Sequence, residues 1–265
     1  MPAIPMRMLR SVLMTLWWHR LHGMTRGDRS PQAMMRRICR RGRVLLQTVL
    51  NRGCRRDAVM KTGVVVGLQA EARLLRGFGI AAVGGGEPEG AERAAIHLVE
   101  SGVDRLVSFG LAGGLDPAIL PGALLIPAEL IEEGALYQTD PSWAGGMTVR
   151  RMVATRQVVA SRTDKAALFR QTGAGAVDLE SGAVARVAAR YGIPFSIVRA
   201  VCDPADRDLP PAALLALDQA GAIGVFRVAG SILRQPSQIG SLMALARDAA
   251  AARQTLRRFQ WPKQG

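Results

Sequence analysis

The run MKTGVVVGLQAEARLL at residues 60–75 constrains the fold of this chain more than any other feature. Gly63–Leu68 is a short β-branched stretch, and a helical pattern follows it at once. A buried strand feeding a helix is the normal opening of an α/β domain, because the helix covers one apolar face of the sheet. The alternation then continues. Pro88–Ser101 reads as a helix, with Pro in its first turn and Gly102 behind its end. Arg105–Phe109 reads as a strand running into a loop, GLAGGL. Ala123–Ile126 reads as a strand after the Pro121–Gly122 turn, and Met152–Val159 as another. Glu180–Tyr191 sets Val184, Val187, Ala188 and Tyr191 on one helical face, and Gly192 and Pro194 end it. Phe195–Val201 reads as a strand, and Pro211–Leu233 and Ser237–Phe259 as helices. Residues 60–265 are therefore expected to form one α/β domain around a central sheet.

Residues 1–59 are written differently. The whole chain carries a net charge of +14, which by itself suggests nucleic acid or an anionic membrane as a partner. The charge is uneven, however. The first 59 residues hold 13 Arg and 2 Asp, or +11; the remainder holds 22 Lys or Arg and 19 Asp or Glu, or +3. The basic signal belongs to the leader, and nucleic acid is not expected as a partner of the domain. The leader reads as an upstream extension or a disordered basic arm. Ser11–Trp18 is apolar and follows Arg7 and Arg10, like a short signal segment, but Arg20 and Arg26 come after it without a cleavage pattern. No run reaches the roughly 18 apolar residues of a membrane span. The three cysteines, Cys39, Cys54 and Cys202, show no metal-ligand spacing, so no metal site is expected and a reducing cytoplasm fits.

Three acidic residues stand at strand ends or helix starts: Glu71, Glu180 and Asp203. Ligands of open α/β sheets gather at the carboxyl ends of strands. Each residue also has a plainer reading, Glu71 and Glu180 as complements to helix N-termini and Asp203 as a turn residue before Pro204. The segment Gly110-Leu-Ala-Gly113-Gly114 lets a backbone approach a ligand closely. It matches neither dinucleotide-binding nor triphosphate-binding glycine patterns. Cys202 adjoins Asp203 but has no His near it in sequence, so packing is its expected role.

Taken together, these segments resemble the superfamily of purine nucleoside phosphorylases and methylthioadenosine/S-adenosylhomocysteine nucleosidases. MKTGVVVGLQAE resembles the nucleosidase opening, SFGLAGGLDPAILPGALLIP the glycine segment and following strand, and VDLESGAVARVAARYGIPFSIVRAVCDPAD the ribose-binding helix and the strand ending in the catalytic Asp. The resemblance implies a single three-layer domain with a central mixed sheet, nucleoside phosphorylase-like. It implies that Asp203 protonates purine N7, which requires a carboxyl whose pKa burial has raised. It implies that Glu180 holds the ribose hydroxyls, that Glu71 orients a water, and that Gly113 and Gly114 line the sugar or anion pocket. Leu179 stands where the nucleosidases usually have Met, and Cys202 where they usually have Ser.

The stretch DLESGAVARVAARYGIPFSIVRAVCDPADRDLPPAAL most resembles the hopanoid-associated phosphorylase branch. That likeness implies adenosylhopane, a lipid nucleoside, as substrate, with adenine released and a ribosyl or phosphoribosyl hopane left. It implies no cofactor beyond phosphate as a co-substrate, a homo-oligomer, and a cytoplasmic protein working peripherally at the inner membrane face. Phosphate and water both stay open as nucleophile, with Arg73, Arg199 and Arg207 as candidate phosphate ligands. Leu214, Leu215 and Leu217, behind Pro210-Pro211, are candidates for an apolar opening or for plain helix core. Arg253, Arg257, Arg258 and Lys263 are candidates for headgroup contact or for a solvated helix face.

Overall fold

The computed structural model describes residues 60–75, 77–141, 147–213 and 236–261. The basic leader, most of the expected helix Pro211–Leu233 with its three leucines, and Lys263 lie outside the described residues.

The described elements, in chain order, are β1 (Thr62–Val66), α1 (Gln69–Ala72) with a following 3-10 turn (Arg73–Leu75), β2 (Ile80–Val83), α2 (Pro88–Glu100), β3 (Arg105–Gly114), β4 (Leu124–Glu132) and β5 (Ala135–Gln138). After them come β6 (Met147–Ala154), α3 (Arg162–Thr172), β7 (Ala176–Asp178), α4 (Ser181–Tyr191), β8 (Phe195–Asp203), a 3-10 turn (Pro236–Gln238) and α5 (Ile239–Arg258).

The sheet is mixed. β1 pairs in parallel with β2 and β3, and β3 pairs in parallel with β8. β4 and β7 each pair in parallel with β6, whereas β3–β7, β4–β5 and β4–β8 are antiparallel. These pairings join β3, β7, β6, β4 and β8 in a closed circuit, so the sheet curls on itself at one side. Helices α2 and α4 cover one face and α5 the other, giving three layers with an apolar cluster on each side of the sheet.

Local sequence explains the helices. In α2, Ala91, Ala94, Ala95 and Leu98 recur at helical spacing and are buried. In α3, the Ser161 hydroxyl accepts the Asp164 amide at 3.0 Å and Gly173 closes the end at φ 64°. In α5, Ala252 and Leu256 bury against the sheet, and Trp261 beyond it stacks on Phe78 with centroids 4.2 Å apart.

Two strand expectations change. Gly110–Gly114 is not a loop: it continues β3, because β8 on one side and β7 on the other supply partners. Small residues suit that crossing; a Cβ on Gly114 would lie 3.3 Å from both the Asp203 carbonyl and Val201 Cγ1. The strand expected at Met152–Val159 runs instead from Met147 to Ala154. Its charged residues hide the apolar period, but Arg151 pairs with Glu129 across β4 at 2.6 Å in register.

Candidate active site

β1 ends at Val66, and the chain turns through Gly67 and Leu68 into α1. Glu71, 6% exposed, folds back over that turn. Its Oε2 accepts the amides of Gly67 and Leu68, each at 2.9 Å, and its Oε1 accepts the amide of Leu111 on β3 at 3.2 Å. The helix-capping reading and the site reading of Glu71 thus describe the same carboxylate.

Glu180 is the N-cap of α4 and is also buried. Its Oε1 accepts the Gly86 amide at 3.2 Å. Gly85 and Gly86, at φ 84° and 82°, turn the β2–α2 connection in a conformation that side chains resist, and this turn brings the amide to Glu180. Asp178 ends β7 two residues earlier, and Leu179 between them is half-buried.

Arg199, in the middle of β8, is wholly enclosed and ties these groups together. Its Nη2 lies 2.6 Å from Asp178 Oδ2 and donates to Ser108 Oγ at 2.6 Å, to Ser181 Oγ at 3.3 Å and to Glu180 Oε2 at 3.4 Å. Its Nη1 donates to the Leu111 carbonyl at 3.3 Å. Glycines make the crowding possible. A Cβ on Gly67 would sit 3.0 and 3.1 Å from the Glu180 oxygens. A Cβ on Gly110 would sit 2.5 Å from Arg199 Nη1 and 2.8 Å from Glu71 Oε1.

Three carboxylates, Glu71, Asp178 and Glu180, therefore surround one buried guanidinium. Burial raises the Glu180 carboxyl above the usual range; Arg199 opposes the shift, and Asp178 and Glu71 reinforce it. Burial works against the charge on Arg199, but the three carboxylates outweigh it and hold its pKa above the ordinary arginine value. Asp178 Oδ1 and Arg199 Nε have no hydrogen-bond partner among the described residues.

Asp203 closes β8 beside Gly113, with which it is in register after a bulge at Ala112/Gly113. Gly110 and Gly113 are three residues apart on β3, so the Glu71 end and the Asp203 end of the site lie about 10 Å apart along one strand. Asp203 is buried, and its Oδ2 accepts a hydrogen bond from Lys165 Nζ at 2.5 Å. Lys165 rises from α3, is fully buried, and also donates to the carbonyls of Pro204 and Arg207, each at 2.9 Å. Burial pushes the Asp203 carboxyl up from the usual range, while Lys165 and Arg207 pull against that shift. Burial, with Asp203 beside it, pushes the Cys202 thiol up to about 12, which leaves a poor nucleophile packed against the α5-side cluster.

A cavity of about 350 Å³ opens between the β1–α1 turn and α5 and reaches Glu71. Leu68, Leu74 and Leu111 form its apolar wall, and Arg73, Arg253 and Arg257 are its cations.

Of the residues singled out in the sequence, Glu71 and Glu180 converge directly, each touching the space over Gly67. Asp203 with Gly113 and Gly114 sits further along the same strand, where a Cβ on Gly113 would be 3.7 Å from Asp203 Oδ2. Two of the candidate phosphate ligands are engaged elsewhere: Arg199 is enclosed by carboxylates, and Arg207 is paired with Asp248. Lys165, Asp178 and the Gly84–Gly86 turn were not anticipated. The triple glycine was the visible signal for the last; a lysine in the segment SRTDKAALFRQ carries none. Among the described residues no group of His, Cys, Asp and Glu could hold a metal ion, and no helix is long and apolar enough to cross a membrane.

The fold is that of the nucleoside phosphorylases and nucleosidases. Residues 146–234 match the model of the Phosphorylase superfamily. The 5′-methylthioadenosine/S-adenosylhomocysteine nucleosidase of Helicobacter pylori superposes with a TM-score of 0.54 at 17% identity, over 77% of this chain and 98% of that one. The futalosine hydrolase of Helicobacter pylori superposes with a TM-score of 0.56 at 17% identity, over 76% and 95%. The S-adenosylhomocysteine nucleosidase of Streptococcus pyogenes gives 0.53 at 16% identity, over 77% and 98%.

Proposed function

We propose that this protein cleaves the N-glycosidic bond of an adenine nucleoside. The observation that carries the reading is the charge imbalance at the site: three buried carboxylates against one buried guanidinium, with a separate buried carboxyl further along β3. Breaking a glycosidic bond leaves a sugar with cationic, oxocarbenium-like character, and a fixed anionic surround stabilises that charge as it develops. Glu180, which already accepts an amide, accepts the ribose hydroxyls. Glu71 retains lone pairs beyond its three amide contacts and takes the proton of the attacking group. Asp203, whose pKa burial raises, is the group that delivers a proton to the leaving purine N7.

The substrate proposed is adenosylhopane, and what supports it is the wording of residues 178–214. The domain then works beside a membrane, as a homo-oligomer, with phosphate as co-substrate. A second reading, a methylthioadenosine- or S-adenosylhomocysteine-type nucleosidase using water, is favoured by Glu71 on the first helical turn and by the fold shared with such enzymes.

The test supplies adenosylhopane and methylthioadenosine side by side, with and without phosphate, and identifies both products. Preference for the lipid and a phosphate-dependent sugar phosphate support the first reading; phosphate-independent turnover of methylthioadenosine alone selects the second. Asp203→Asn should slow adenine release by roughly two orders of magnitude or more, the scale of general acid catalysis. Wild-type release by that variant refutes the assignment of Asp203.

A further inference from the structure

Arg73, Arg253 and Arg257 converge on the cavity that reaches Glu71 from two separate elements: the 3-10 turn after α1 and the last turns of α5. Arg253 and Arg257 are four residues apart and share one helical face, an arrangement in which like charges repel. None of the three side chains makes a hydrogen bond or ion pair among the described residues. The other basic side chains near the site behave differently: Lys165 holds Asp203, Arg199 holds Asp178 and Glu180, and Arg207 holds Asp248. Glu71, which the cavity reaches, is turned to the amides of Gly67, Leu68 and Leu111 and forms no ion pair with the three arginines among the described residues. All three side chains are exposed, so water carries their charge in the free protein, and an anion entering the cavity meets three like charges at one opening.

We propose that Arg73, Arg253 and Arg257 form a binding site for a phosphate-class oxyanion at the mouth of this cavity. Planar guanidinium groups from two directions match the several oxygens of a phosphate, each able to donate a pair of hydrogen bonds. The cavity, at about 350 Å³, has room for such a group together with part of a larger molecule that carries it. Two sources present this chemistry. One is free inorganic phosphate, delivered next to Glu71, where the proposed function places the attacking group; the other is the phosphate of an anionic lipid headgroup. Only the meaning of the site's position rests on that proposed function, because binding is measured without any nucleoside.

The full chain is titrated with inorganic phosphate by calorimetry at constant ionic strength, and separately sedimented with vesicles of equal parts phosphatidylglycerol and phosphatidylcholine. The same is done for Arg253→Gln/Arg257→Gln and for Arg170→Gln/Arg190→Gln, a pair with the same charge change at exposed positions on α3 and α4. In the phosphate arm we expect a dissociation constant of roughly 1 mM or below, weakened about tenfold or more in the α5 variant and unchanged in the control. If lipid is the source, free phosphate binds no more tightly to wild type than to the α5 variant, and only the α5 variant loses vesicle binding. Equal behaviour of all three proteins in both arms overturns the proposal, as does an equal loss in the control variant, which would mark a general charge effect. Circular dichroism of each variant excludes unfolding as the cause of a loss. Absence of nucleoside cleavage would refute the proposed function and leave this result standing.

Discussion

Lys165→Met is the most revealing perturbation of the Asp203 end of the site. Burial raises the Asp203 carboxyl, and Lys165, at 2.5 Å, is the largest influence pulling it back. An opposite charge at that range shifts a carboxyl by about 1–3 pKa units, each worth about 1.4 kcal/mol. Removing it should raise the Asp203 pKa by about that amount. The sign of the stability effect follows. Because the folded pKa lies above the unfolded one, the contribution of Asp203 is present below its unfolded pKa and lost as pH rises through the folded value. In the variant that folded value is higher, so more stability is lost over the rise. Destabilisation relative to wild type should thus be small at about pH 4 and larger at about pH 8. Its ceiling is the roughly 3–5 kcal/mol of a broken buried pair, reduced because Asp203 can take up a proton. Denaturant titration at both pH values reads this, and carboxyl ¹³C NMR reads the titration itself. In the rate profile the alkaline limb should move up by the same shift. The plateau should fall by up to about 10²-fold, because an unanchored carboxyl is misplaced by about an ångström. An unmoved carboxyl titration together with an unmoved alkaline limb would refute the argument that Lys165 governs Asp203.

Arg199→Met should destabilise the domain by about 3–5 kcal/mol in denaturant titration, since it leaves Asp178 and Glu180 buried without their cation; a change below about 1 kcal/mol would refute the role of Arg199 as their buried counter-charge. Gly110→Ala should lower kcat with little change in KM, because the new methyl must displace Arg199 or Glu71; unchanged turnover would separate those two groups from the chemistry. Glu71→Gln should abolish most base release if water attacks, and the phosphate dependence of the residue of activity should identify the nucleophile; wild-type rates would remove Glu71 from the reaction.

How much of this was legible in the sequence depended on whether the cause was local. The strand at Thr62–Val66, the α2 helix with its first-turn proline, and the α4 helix ending at Gly192 follow from β-branching, apolar spacing and end signals carried by neighbouring residues. Glu71, Glu180 and Asp203 were legible as carboxylates at element ends, and the structure places Glu71 and Glu180 at one cluster and Asp203 further along β3. What the sequence by itself determined was thus the alternation of elements and the residue types at their ends. The tertiary structure alone decided what depends on distant partners. Gly110–Gly114 became strand because β7 and β8 flank it. Arg199 became a buried hub because Asp178, Glu180 and Ser108 meet it from three other elements. Lys165 became the partner of Asp203 although the two are 38 positions apart along the chain. A side chain's charge state and its partner are set by burial and proximity after folding, and neither is carried by its neighbours along the chain.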